Sequence, residues 1–152
     1  HVCWAYMLGH ARTEFRANDN GEPSGTAGKP ILGQINSFGL TDVLIVVVRY
    51  FGGIKLGTSG LIEAYRAAAA DAIRENEIVE RLVEDDIRIL FEYPFMNDVM
   101  RIVKEEGPTV LSQYFELDCE MTLRQRRSLM SRLRERLSKV ESLRFPEESP
   151  VA

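Results

Sequence analysis

The sequence predicts an α+β protein of two domains, and three observations carry that expectation. The run VLIVVVRY at residues 43–50 is aliphatic and β-branched almost throughout, and an alanine-rich helical stretch, GLIEAYRAAAADAIREN at 60–76, follows it closely. Near residue 80 the texture changes, with glycine becoming scarce while arginine and glutamate take over. From 81 to 148 the hydrophobic pattern then reads strand, helix, strand, strand, helix, strand. At 152 residues, 45% of them hydrophobic, the chain is long enough for two compact units of about 70–80 residues each.

HVCWAYML (1–8) alternates with period two and is rich in aromatics, so it reads as a strand. It carries no initiator methionine, which predicts a start inside a longer protein, with an earlier strand and helix missing. Residues 9–30, GHARTEFRANDNGEPSGTAGKP, read as one long polar connection, too long for a hairpin turn. ILGQINSFG (31–39), entered through Pro30, suits a helix whose first turn tolerates the proline. VLIVVVRY fills both strand faces with aliphatic side chains, which predicts burial on both. In the helix that follows, Leu61, Ala64, Tyr65, Ala68 and Ala72 share one face.

In the second half, EDDIRILFEY (84–93), PTVLSQYF (108–115), ELDCEMTL (116–123) and VESLRF (140–145) read as strands. FMNDVMRIVKEEG (95–107) and RQRRSLMSRLRERL (124–137) read as helices. The order βαββαβ is the ferredoxin-like pattern, with two helices on one face of an antiparallel sheet. Domains are therefore expected at 1–80 and 81–148, with 149–152 as a frayed tail.

Composition narrows the chemistry. A net charge of −4 argues against a general polyanion binder, so any nucleic-acid contact needs a local basic surface. Cys3 and Cys119 lie far apart without CxxC spacing, which points away from a disulfide framework or zinc knuckle and towards a reducing, cytoplasmic setting. No apolar run reaches the ~18 residues of a membrane helix, so no membrane partner is expected. His1, Cys3 and His10 form no compact ligand set, and neither a metal nor a cofactor is expected. No serine has a base that the sequence places beside it, so no catalytic residue is assigned.

Two loops hold the candidate chemistry. In RYFGGIKLGTSG, Gly52 and Gly57 have the spacing of a phosphate loop, but Thr58 and Ser59 follow where a Walker lysine belongs. Lys55 sits inside the loop instead, which argues against a nucleotide P-loop. Arg49, Lys55 and the amides of Gly52, Gly53 and Gly57 could still cradle an anion at the start of a helix. Equally, those glycines serve a tight turn and close packing. In NDNGEPSGTAGKP, Glu22, Ser24, Gly25, Thr26 and Gly28 could face a ligand, although such composition suits any ordered loop. A second basic surface is expected on one helix from Arg124, Arg126, Arg127, Arg132, Arg134, Arg136 and Lys139, with Leu129, Met130, Leu133 and Leu137 as its packing stripe. Pairing of these arginines with neighbouring acids is the competing reading.

EPSGTAGKPIL followed by VVVRYFGGIKLGTSGLIEAY resembles the signature of the YigZ/IMPACT family, and the resemblance covers residues 1–80. It implies a first domain of the ribosomal protein S5 domain 2-like type. It also implies a ferredoxin-like second domain similar to one in elongation factor G. The motif positions are Glu22, Pro23, Ser24, Gly25, Thr26, Gly28, Arg49, Tyr50, Phe51, Gly52, Gly53, Leu56 and Gly57. The function implied is a non-enzymatic RNA- or ribosome-associated protein, a translation regulator. Two alternatives stand beside it: a binder of, or enzyme on, a phosphorylated metabolite, and a protein-interaction module like the IMPACT relatives that bind a general-control activator.

Overall fold

A computed structural model describes residues 1–146, so the expected tail at 149–152 lies outside the described residues. Among the described residues the fold is α+β, with two three-stranded antiparallel sheets and four α-helices. The chain divides into two compact units, His1–Val79 and Glu80–Ala152.

In the first unit, β1 (Val2–Leu8) is the central strand, flanked by β2 (Glu14–Asn18) and β3 (Val43–Val48) in the order β2-β1-β3. Both neighbours run antiparallel to it, with Tyr6 opposite Arg16 on one side and Trp4 opposite Val46 on the other. α1 (Gly28–Ser37) and α2 (Gly57–Arg74) pack on one face. There Cys3, Ala5, Met7 and Ile45 meet Ile31, Ile35, Leu61, Tyr65, Ala69 and Ile73.

Three expectations change here. The connection at 9–30 is not all loop: after a turn closed by the Arg12 amide on the Gly9 carbonyl, residues 14–18 return as a strand. β3 is an edge strand buried on one face only; Ile45 points into the core while Val46, Val48 and Leu44, 61% exposed, line the open face. Two helices cover one side of this sheet, and aliphatic residues on the other side imitate the pattern of a doubly buried strand. The buried stripe of α2 runs through Ala69, Ala70 and Ile73, not through Ala64 and Ala72, which are exposed.

In the second unit, β4 (Glu84–Glu92), β5 (Thr109–Phe115) and β6 (Asp118–Arg126) form a sheet in the order β4-β6-β5. α3 (Met96–Glu106), which ends at left-handed Gly107, and α4 (Arg127–Ser138) cover its inner face. Ile87, Ile89, Phe91, Cys119, Met121 and Leu123 pack there against Val99, Ile102, Val103, Met130, Leu133 and Leu137.

The strand expected at 140–145 is reduced to one antiparallel bridge, in which Leu90 and Arg144 exchange two backbone hydrogen bonds of 2.9 Å. The arginine-rich helix also begins later than expected. Arg124 and Arg126 end β6, because the ladder with β4 continues to the pair Glu84–Arg126 and commits that backbone to the sheet. Leu129, expected in the packing stripe of α4, is exposed.

Candidate functional site

Asp19 organises the first candidate loop. Its carboxylate accepts the amides of Gly25 at 2.9 Å, Ala27 at 3.1 Å and Gly28 at 2.8 Å, so the chain fills the start of α1 with its own anion. Burial pushes the Asp19 carboxyl up, but these three amides outweigh it and hold the group below its ordinary value. Thr26 is buried with its hydroxyl on the Pro23 carbonyl, while Ser24 is exposed.

Gly28 packs tightly here: a Cβ would lie 2.7 Å from the Asn18 backbone nitrogen. Helix propensity alone favours alanine over glycine, yet Gly28→Ala is expected to lower stability by about 1–2 kcal/mol, because backbone must shift. A lowered urea midpoint checks this; a raised one contradicts it.

Glu22 joins the two signature loops. Its side chain is 2% exposed, and Arg49 grips it with Nε on Oε2 and Nη2 on Oε1, both at 2.7 Å. The Tyr65 hydroxyl of α2 donates to Oε2 at 2.8 Å, and His1 Nε2 lies 3.2 Å from Oε1. The Arg49 hydrogen bonds hold the Glu22 carboxyl below its ordinary value against burial, with Tyr65 adding to the effect. Burial raises the Tyr65 hydroxyl, and its contacts with Cys3 and Glu22 raise it further. Arg49 also shares two backbone hydrogen bonds with His1, of 2.9 and 3.0 Å, so the β1–β3 ladder extends to the start of the glycine break.

The rest of the break faces outward. Tyr50 is 90% exposed and Phe51 60%, with the Arg49 guanidinium 5.8 Å from the Phe51 ring centre. Ile54, Lys55 and Leu56 are exposed as well. Gly53 and Gly57 have φ of 88° and 74°, a region that favours glycine, and Gly52, Gly53 and Gly57 all border open space. α2 then begins at Gly57 with no side-chain cap, Thr58 and Ser59 lying exposed in its first turn. The structure therefore separates the predicted residues. Glu22, Gly25, Thr26, Gly28 and the Arg49 side chain have partners within the chain, whereas Gly52, Gly53 and Lys55 lie on a solvent-facing loop and Gly57, Thr58 and Ser59 on the exposed first turn of α2.

The second basic surface is largely neutralised. Arg124 pairs with Asp86 at 2.8 Å, Arg127 with Asp85 at 3.0 Å, and Arg132 and Arg136 both reach Glu106. The Arg136 hydrogen bond leads in holding the Glu106 carboxyl below its ordinary value. Arg134 lies over the Phe145 ring at 4.8 Å, Lys139 is 3.8 Å from Glu135, and Arg126 is exposed. Sequence reasoning did not find Tyr65 and His1 as partners of Glu22, or Asp19 as the cap of α1.

Residues 1–73 match the sequence model of a family described as the Impact N-terminal domain. The chain is 39% identical over 105 residues to IMPACT family member YvyE of Bacillus subtilis, covering 69% of this chain and 48% of that protein. It is 36% identical over 128 residues to an IMPACT family member of Haemophilus influenzae, covering 81% and 61%. To IMPACT family member YigZ of Escherichia coli it is 33% identical over 117 residues, covering 75% and 57%. The chain thus spans about half to three fifths of the length of these relatives. A solved structure described as that of a hypothetical protein superposes with a TM-score of 0.63 at 26% identity, covering 95% of this chain and 72% of that one.

Proposed function

This chain belongs to the IMPACT family, and from that premise we propose that it binds RNA, free or within the ribosome, and transforms no small molecule. The observation that carries this reading is the glycine break. It presents two exposed aromatics, Tyr50 and Phe51, on the same loop as Lys55, and leads into an uncapped helix start. Aromatic faces stack on unpaired bases of any sequence, while a lysine and free backbone amides meet phosphate. Arg49 serves this surface indirectly, as the anchor that fixes where Tyr50 begins. The Glu22 carboxylate supports a binding role, because Arg49, Tyr65 and His1 already occupy its oxygens and leave it no substrate proton to take.

The proposed folds are ribosomal protein S5 domain 2-like for the first unit and ferredoxin-like for the second. The sheet order β4-β6-β5, with Arg144 bridging Leu90 on the outer edge, supports the latter. In this reading the protein acts inside the cell as a regulator of translation.

RNA affinity is expected to fall as salt rises. Lys55→Ala should flatten the logarithmic salt slope by about 0.7, the value for one phosphate contact on a single strand. Titration of a fluorescent single-stranded RNA at several salt concentrations measures both. Salt-independent binding, or a slope unchanged in Lys55→Ala, contradicts the proposal.

A further inference from the structure

We propose that β5 is a self-association edge, at which two copies of the chain pair antiparallel about a two-fold axis at Tyr114. In the order β4-β6-β5 this strand has β6 on one side and, among the described residues, no strand on the other. The backbone N–H and C=O groups of every second residue therefore point outward, beyond the ladder. All seven residues of Thr109–Phe115 are exposed, and none belongs to the core of the second unit. Gln113 and Phe115 lie opposite Met121 and Cys119, which are buried against the helices, yet Phe115 is itself 42% exposed. Ser112 and Tyr114, opposite Thr122 and Glu120, stand on the other face. Both faces of the strand are thus uncovered.

Its composition leaves that edge unguarded. Natural edge strands are protected from pairing by charged side chains, proline or bulges. β5, TVLSQYF, has no charged residue and no proline, while β4 and β6 beside it carry charges of both signs. Its one irregularity falls between Val110 and Ser112 and leaves Ser112–Phe115 regular. With no cation of its own, the strand offers nothing to a phosphate, but its backbone fits another strand.

A second copy is the occupant that charge and symmetry favour. An identical strand run antiparallel offers the same donors and acceptors in reverse, so each bond is repeated by the two-fold. An uncharged strand meets its own copy without repulsion. Cross-strand neighbours share a face, which selects the register. An axis at Tyr114 sets that ring against Tyr114 of the second copy and Gln113 against Phe115. It also brings Leu111 towards Leu117, which is 94% exposed. Glu116, the first charged residue beyond the strand, then faces Ser112 and not another acid.

The test is sedimentation velocity of the RNA-free chain from about 5 µM to about 500 µM, the range in which an interface this small associates. Wild type should pass from monomer to dimer across it. Hydrogen exchange at the two ends of the range should show alternate amides of β5 slowed about 3- to 10-fold at the higher concentration. Tyr114→Lys and Tyr114→Glu each set like charges against one another at the axis, so each alone should stay monomeric, whereas an equimolar mixture of the two should dimerise. Tyr114 is 65% exposed, and both variants should keep the wild-type urea midpoint. The proposal is overturned by a wild type that stays monomeric at the top of the range, by variants that associate alone as wild type does, or by a mixture that forms no dimer. The wild-type arm decides the matter even if a variant folds poorly, and no arm depends on RNA binding.

Discussion

Glu22→Ala is expected to cost the first unit about 3 kcal/mol. The carboxylate is 2% exposed, and its loss strands three donors at once. The buried Tyr65 hydroxyl loses its acceptor, the kind of orphan that costs about 1–3 kcal/mol. Arg49, whose side chain is 20% exposed, relaxes into water but no longer ties the two loops together. Glu22→Gln should lose less, since its amide oxygen still accepts one donor. Fluorescence of Trp4, the only tryptophan, follows unfolding in urea. With a slope of about 1–3 kcal/mol per molar, the midpoint should fall by about 1–3 M. A fall of less than about 0.3 M shows that the Glu22 contacts contribute little.

The same group sets an acid limit. The hydrogen bonds from Arg49 hold Glu22 below its ordinary value, so the folded carboxyl loses its proton more readily than the unfolded one. Its contribution is complete above the unfolded range, about pH 4.3, and drains away as pH falls through the lower folded value. Wild type should therefore lose more stability than Glu22→Gln between about pH 5 and pH 3.

How much of this was legible follows from how far apart the interacting residues lie. β1, the aliphatic core of β3 and the alanine-rich helix announce themselves through local periodicity. β2 does not, because EFRAN alternates over five residues only and sits within polar turn composition. The contact between Glu22 and Arg49 spans 27 residues, and that between Tyr65 and Glu22 spans 43, distances over which spacing carries no signal. Both motifs were visible as motifs, while the pairing of their charges was not. The arginines of the second unit show the converse. Their clustering is plain in the sequence, but Asp85, Asp86 and Glu106, which answer them, lie on other elements. Asp19 as a helix cap could have been suspected from an acidic residue ahead of a Gly-Pro helix start, although it reaches across six to nine residues.

The central claim is that the Glu22–Arg49 anchor holds the glycine break so that its aromatics meet RNA. Each stacked base is worth about 1–3 kcal/mol, so Tyr50→Ala combined with Phe51→Ala should weaken binding of a single-stranded RNA by about 30-fold or more. Both side chains are exposed, so the double variant should keep the wild-type urea midpoint. The direct measurement is RNA affinity by fluorescence anisotropy for wild type and this variant at one fixed, low salt concentration. A loss of that size with stability retained is the predicted result. Affinity within twofold of wild type, or no RNA binding by wild type itself, contradicts the claim.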